Sequence, residues 1–246
     1  TYGSEFDAAS GYYGDGFNYD RGMAVSLGNG TTLILDGSGV PRWVAAGGID
    51  DGTMELPESG LYFGAWCPWD RRLALTGTTN VWFSDPLDPY TWPEDNFVPV
   101  NGVKTGMATW GDKMFVFGQS SFHVFYATTP DQQGLPVFQY RTIDVGIGAK
   151  ECRHIAVGDD GVYFLDDRGI WRTGGGRPEP YRGPVSPLIE QGLLDGNGPL
   201  GQQDGRRLAA RFGWMVLAFR DGDRQRLVAW REQGGPPVSG PPERTG

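Results

Sequence analysis

Carboxylates are the side chains of this chain with the widest chemical reach. Asp36, Asp85, Asp159, Asp166 and Asp221 each fall in a turn-like stretch between apolar runs. A glycoside hydrolase would need two such groups flanking one bond within about 10 Å, one with its pKa raised by burial. A turn aspartate ordinarily accepts hydrogen bonds from its own backbone two residues on, and that role is favoured for all five. His123 and His154 each sit in a strand-like apolar run, and Cys67 and Cys152 are the only cysteines, with no CxxC pair. A zinc site needs three or four convergent donors, so packing is expected of these four residues. Gly174-Gly175-Gly176 opens no helix and precedes no Lys-Ser or Lys-Thr, so a phosphate cradle lacks support. Sequence therefore assigns no catalytic residue, no metal ligand and no cofactor, and the expectation is a protein that is not an enzyme.

One loop stands out as an interaction candidate: Ser84-Asp85-Pro86-Leu87-Asp88-Pro89-Tyr90-Thr91-Trp92. Its prolines stiffen it, and Asp85, Asp88, Tyr90 and Trp92 are its candidate contact residues. It is similar to the Asp box of sialidases, in which a turn carboxylate caps backbone donors and a Trp docks between strands; that role is structural. Tyr90 and Trp92 either fold under the sheet or project as a binding anchor, with packing favoured. Trp43, Trp69 and Tyr181 could stack on sugar rings, but a count of aromatics does not separate a lectin from a well-packed sheet.

The net charge of −9 and pI near 4.7 argue against a surface that gathers nucleic-acid phosphates. DNA could pass such a surface without being held. No apolar run approaches the roughly twenty residues that span a bilayer, so membrane insertion is not expected. No basic segment followed by an apolar one marks a secretory signal.

The elements that position these residues follow a repeat. Its clearest copy runs Met107–Trp110, the turn Gly111-Asp112, Lys113–Phe117, the turn Gly118–Ser121, then Phe122–Tyr126. The next has Arg153–Val157, Gly158–Gly161, Val162–Leu165, Asp166–Gly169 and Ile170–Arg172. Related units begin at Met23, Phe63 and Leu208. Anchored on Leu33, Leu73, Met114, Val162 and Met215, the steps are 40, 41, 48 and 53 residues, the size of a four-stranded propeller blade. The second strand of each unit is an almost unbroken apolar run where a half-exposed strand would alternate, so both its faces must be covered by neighbours. The 40 glycines and 18 prolines punctuate these runs as tight hairpin turns. Fourth, outer strands are expected at Phe97–Val100 and Phe138–Ile143, and Pro99 suits an edge.

The fold class expected is all-β, a β-propeller or partial propeller with about five four-stranded antiparallel blades. The units fall at 21–59, 60–102, 103–147, 148–185 and 206–233. Residues 1–20 form an N-terminal segment in which Tyr12-Tyr13 is a candidate ring-closing strand, because no outer strand of the fifth unit is visible. Residues 186–195 read as a short helical insertion, with Ser186 as N-cap and Pro187 at the first helical position. Residues 234–246 read as a Pro/Gly-rich tail or linker.

Val81–Pro93, Gly111–Phe117 with Ser120–Phe125, and Gly161–Arg172 with Val185–Ile189 together resemble propeller proteins of tailed double-stranded DNA bacteriophages. The nearest kin by this resemblance are the tail nozzle or tail-tube proteins of short-tailed phages, over roughly residues 60–190. The resemblance implies a non-enzymatic virion component at the DNA exit channel, present in the host cytoplasm during assembly. It implies a homo-oligomeric ring, a hexamer in such proteins, in contact with other tail or connector proteins. Family members are usually much longer, so it also implies that this chain is a fragment. The alternatives carried forward are a carbohydrate- or receptor-binding propeller, with a glycan receptor as partner, and a glycoside hydrolase.

Overall fold

The computed structural model describes residues 23–27, 31–35, 42–45, 48–50, 58, 60, 63–181, 207–211, 213–221, 224–231 and 238–240. These build an all-β protein of five antiparallel sheets, each of four strands. The first sheet holds β1 (Met23–Ser26), β2 (Thr32–Leu35), β3 (Arg42–Ala45) and β4 (Gly48–Asp50). The second holds β5 (Phe63–Trp66), β6 (Leu73–Thr76), β7 (Asn80–Phe83) and β8 (Phe97–Pro99). The third holds β9 (Lys104–Trp110), β10 (Lys113–Gly118), β11 (Ser121–Pro130) and β12 (Pro136–Asp144). The fourth holds β13 (Ile155–Val157), β14 (Val162–Asp166), β15 (Gly169–Thr173) and β16 (Glu179–Pro180). The fifth holds β17 (Arg207–Arg211), β18 (Trp214–Asp221), β19 (Arg224–Arg231) and β20 (Val238–Gly240). Every sheet is a meander in chain order, as short hairpin turns require.

Alternation along the second strands gives the three inner sheets two dry faces each. Met114 and Val116 of β10 lie in one cluster with Phe63, Ala65, Val81 and Phe83 of the second sheet. Phe115 and Phe117, pointing the other way, lie in a cluster with Val162 and Phe164 of β14. Tyr163 and Leu165 then turn to Met215, Leu217 and Trp230 of the fifth sheet. In the second sheet Leu73 and Leu75 face Val25, Leu33 and Leu35, while Ala74 faces the third sheet. Four apolar seams thus join the five sheets face to face in chain order. Aromatic pairs tighten them: Phe83 stacks on Phe138 at 3.8 Å and Phe117 meets Phe164 at 5.1 Å. The unbroken apolar runs of the sequence are the strands caught between two seams.

The first strands of successive sheets are also neighbours, β1 beside β5, β5 beside β9, β9 beside β13 and β13 beside β17. Close approach here needs missing side chains. A Cβ on Gly106 of β9 would stand 2.5 Å from Ile155 Cδ1 and 3.1 Å from the Cys152 Cα. Lys104 ties the second seam at one rim, its Nζ donating to the carbonyls of Thr78 at 2.9 Å and Val100 at 2.5 Å.

Three departures from the sequence reading concern the ends and connections. The tail is not linker throughout: Val238–Gly240 pairs antiparallel with Leu227–Ala229, so the last unit extends past residue 233. Three residues suffice for an outer strand, and the flanking Gly and Pro pairs concealed it. The edge of β19 that Tyr12-Tyr13 were expected to fill is therefore occupied, and the N-terminal segment 1–20 itself lies outside the described residues. The helical insertion 186–195 lies outside them too. Outer strands at Gly48–Asp50 and Glu179–Pro180, which the sequence reading did not place, complete the first and fourth sheets.

Gly148 offers a sharp test of this packing, because a Cβ there would sit 2.1 Å from the Gly118 carbonyl oxygen and under 3 Å from Gln119 and Ser120 backbone atoms. Backbone cannot swing aside as a side chain can. Gly148→Ala is expected to lower the unfolding free energy by roughly 3 kcal/mol, the upper end of ordinary overpacking costs, read as a fall in urea midpoint at constant m-value.

Candidate functional site

The loop at 84–92 is built on a rigid base. Ser84 is fully buried; its Oγ accepts the Leu73 N–H at 2.9 Å and donates to the Asp85 carbonyl at 3.0 Å. The Arg72 guanidinium, itself 8% exposed, donates to the Ser84 carbonyl at 2.9 Å, pairs with Asp70 at 3.0 Å and lies 5.7 Å over the Phe138 ring. A buried cation is tolerated here because it meets a carboxylate, a carbonyl and a π face.

Above that base the four candidate residues take separate roles. Asp85 and Asp88 form an isolated antiparallel bridge, and the Asp85 N–H donates to the Thr91 carbonyl at 2.9 Å. Asp88 accepts the Tyr90 N–H at 2.9 Å and the Thr91 hydroxyl at 2.8 Å. Those bonds, the backbone one first, hold its carboxyl below the usual range. Tyr90 is 46% exposed, whereas Trp92 turns inward and packs against the cluster of Leu33, Leu73 and Leu75. The structure therefore keeps Asp85, Asp88 and Tyr90 on the loop and packs the partly buried Trp92 against the core. Sequence reading missed Leu87, which is 70% exposed at a left-handed φ of 63°, its N–H donating to the Arg71 carbonyl at 3.2 Å. A non-glycine residue in that region is held there by its surroundings.

A second site is invisible in the sequence because it is assembled from strands some forty residues apart. The first strands of four sheets line a cavity of ≈620 Å³. Its wall includes Ala24, Gly64, Trp66, Met107 and Ile155, with Cys152 and Arg153 from a single 3-10 turn at Cys152–His154. Trp66 spends its indole N–H on the Ser26 carbonyl at 2.8 Å. The wall is mainly apolar, and no carboxylate belongs to it among the described residues. Burial, the main cause, pushes the Cys152 thiol above its usual value, helped by the Glu151 charge. Cys67 lies elsewhere, in the second seam with its Sγ 3.9 Å from the Met114 sulfur, and burial followed by the Asp70 charge raises its thiol further.

The histidines are equally separate. His123 lines a cleft of ≈180 Å³ between residues 100–104 and the Gly118–Ser121 turn. Its Nδ1 is 2.9 Å from the Thr142 hydroxyl, and burial, then the Lys104 charge, pushes its pKa down. His154 is buried at the 3-10 turn. Asp166 is absorbed in structure, accepting from Arg168 and from the Trp171 indole at 2.8 Å. Among the described residues no three His, Cys, Asp or Glu side chains converge where a metal ion could be held, and no helix is long and apolar enough to cross a membrane.

No family model matches the chain, and no curated protein is recognisably similar to it. Solved structures are. The crystal structure of a "putative exported protein" from Bacteroides fragilis superposes with a TM-score of 0.52, over 90% of this chain and 71% of that one, at 11% identity. At that identity the likeness concerns the fold alone.

Two outcomes test the site. Cys152 is expected to react with a small disulfide reagent more slowly than a free cysteine at neutral pH, its rate still climbing past the ordinary thiol value of 9.0. Cys67 should react only on unfolding; equal, fast titration of both thiols would contradict the packing. Asp88→Ala should speed protease cutting within residues 85–92. Because the folded pKa of Asp88 is depressed, its contribution is present above the unfolded value of about 3.9 and is lost as pH falls through the folded one. Acid should therefore reproduce the effect of the substitution.

Proposed function

We propose that the chain is a β-propeller, or an arc of one, serving as a non-enzymatic structural component of a bacteriophage tail. The observation that carries the architectural half is the set of four apolar seams between five successive meanders, with first strands side by side around a shared cavity. Sheets joined face to face in chain order, with their first strands side by side, are what radial packing about an axis requires. The tail assignment rests on the sequence resemblance over roughly residues 60–190. In this reading the chain joins a homo-oligomeric ring at the DNA exit channel with other tail or connector proteins, and its acidic surface lets DNA pass unheld. Its site of action is the virion, reached from the host cytoplasm during assembly. The apolar wall of the shared cavity supports a role in binding and scaffolding over hydrolysis, since a carboxylate pair is what glycoside cleavage would use. The loop offers one exposed ring, Tyr90, where sugar stacking would favour a platform of several.

The test is to purify particles from a lysate of cells expressing the gene in its phage context. Mass spectrometry should find the chain at a fixed stoichiometry to the tail proteins, with immunogold label on the tail. Particles that assemble fully without it would overturn the tail assignment and leave the architecture standing. A density map with two packed layers in place of a fan of sheets would overturn the architecture.

A further inference from the structure

Outer strands are where a stack of sheets is exposed to unwanted pairing, since each presents a row of unpaired backbone N–H and C=O groups. Four of the five are blunted in the same way. Gly48–Asp50, Phe97–Pro99, Glu179–Pro180 and Val238–Gly240 are two or three residues long, and each contains Gly or Pro. The fifth, β12, runs nine residues from Pro136 to Asp144 and ends its sheet with no described strand beyond it. Its central stretch Val137-Phe-Gln-Tyr-Arg-Thr-Ile143 has no Gly, no Pro and one charge, a composition that favours strand pairing.

This edge is held ready. Phe138 stacks on Phe83, Tyr140 stacks on Phe125 at 4.9 Å, and the Trp69 indole donates to the Thr128 hydroxyl of β11 at 2.9 Å. On the other side Arg141 donates to the Gly175 carbonyl. Leu135, Val137, Tyr140 and Tyr126 on the same hairpin are four of the ten large apolar side chains most exposed among the described residues.

We infer that β12 is an interface, and that its occupant is β12 of a second copy of this chain, paired antiparallel across a two-fold axis. The strand is complementary to itself. Overlap over all nine residues puts Tyr140 on the axis against its own copy, Val137 opposite Ile143, Phe138 opposite Thr142 and Gln139 opposite Arg141. β-branched and aromatic residues then meet each other, and no like charges stand opposed. Pairing makes one continuous eight-stranded sheet from the two third sheets, an isologous contact that closes at two copies. The inference rests on the edge alone and holds whether or not the chain belongs to a tail.

Sedimentation velocity of the full chain across the micromolar range tests it, alongside amide exchange measured at low and high concentration. A concentration-dependent dimer is expected, with amides of residues 137–143 gaining protection in it. Gln139, half-buried with its amide 3.1 Å from the Thr129 hydroxyl, reads the register. Gln139→Arg opposes Arg141 of the other copy twice and should weaken the dimer at least tenfold, while Gln139→Glu should tighten it severalfold; near-UV circular dichroism checks that both variants fold. Wild-type chain that stays monomeric into the millimolar range would overturn the inference. So would a dimer that neither variant shifts and in which these amides stay unprotected, or a monomer whose β12 edge captures only a foreign extended peptide.

Discussion

The second strand of each inner sheet has no solvent face, and the rest of the structure follows from that. In the third sheet, Phe115, Phe117 and Phe122 face one neighbour while Met114, Val116 and Phe125 face the other. Each such side chain contributes about 1.5–3 kcal/mol when taken fully from water, against about 1–2 kcal/mol to order each residue's backbone. A lone four-stranded meander would leave both faces in water and would not offset that entropy. The sheets are therefore stable as neighbours, and chain order fixes which neighbours they have.

The first strands approach their neighbours closely where they carry glycine: a Cβ on Gly64 or Gly106 would stand under 3 Å from side chains of adjoining strands. Phe83, Phe122, Phe125 and Phe138 fill the seams. First strands packed side by side support the radial arrangement proposed above. The cavity wall they form carries Trp66, Met107 and Ile155 and is mainly apolar, with Arg153 of the 3-10 turn as its charged group.

Much of this was legible in the residues because its causes are local. Hairpin turns such as Gly111-Asp112 announce their flanking strands, and an unbroken run such as Val162–Leu165 announces two covered faces. Features without local cause were hidden. Val238–Gly240 is too short for any periodicity and wears Gly and Pro, the residues that ordinarily signal a turn. Trp92 and Tyr90 sit two apart in an irregular loop, where no alternation says which one turns inward. The cavity draws on strands separated by whole repeats, so no window of sequence contains it.

Edges complete the argument. Burying both faces of a sheet leaves its rim as the one place where backbone groups must find water or a partner. Shortness and Gly or Pro discharge that need at four rims, since two or three residues expose few groups and water serves them. At β12 the opposite choice was made: a long, β-branched and aromatic strand, held from one side by Arg72 and Phe83 and from the other by Gly175. A strand already immobile loses little further entropy when another strand arrives beside it. Solubility alone would favour trimming it as its four counterparts are trimmed; its length places Phe138 in the second seam, and pairing would satisfy the edge that this leaves.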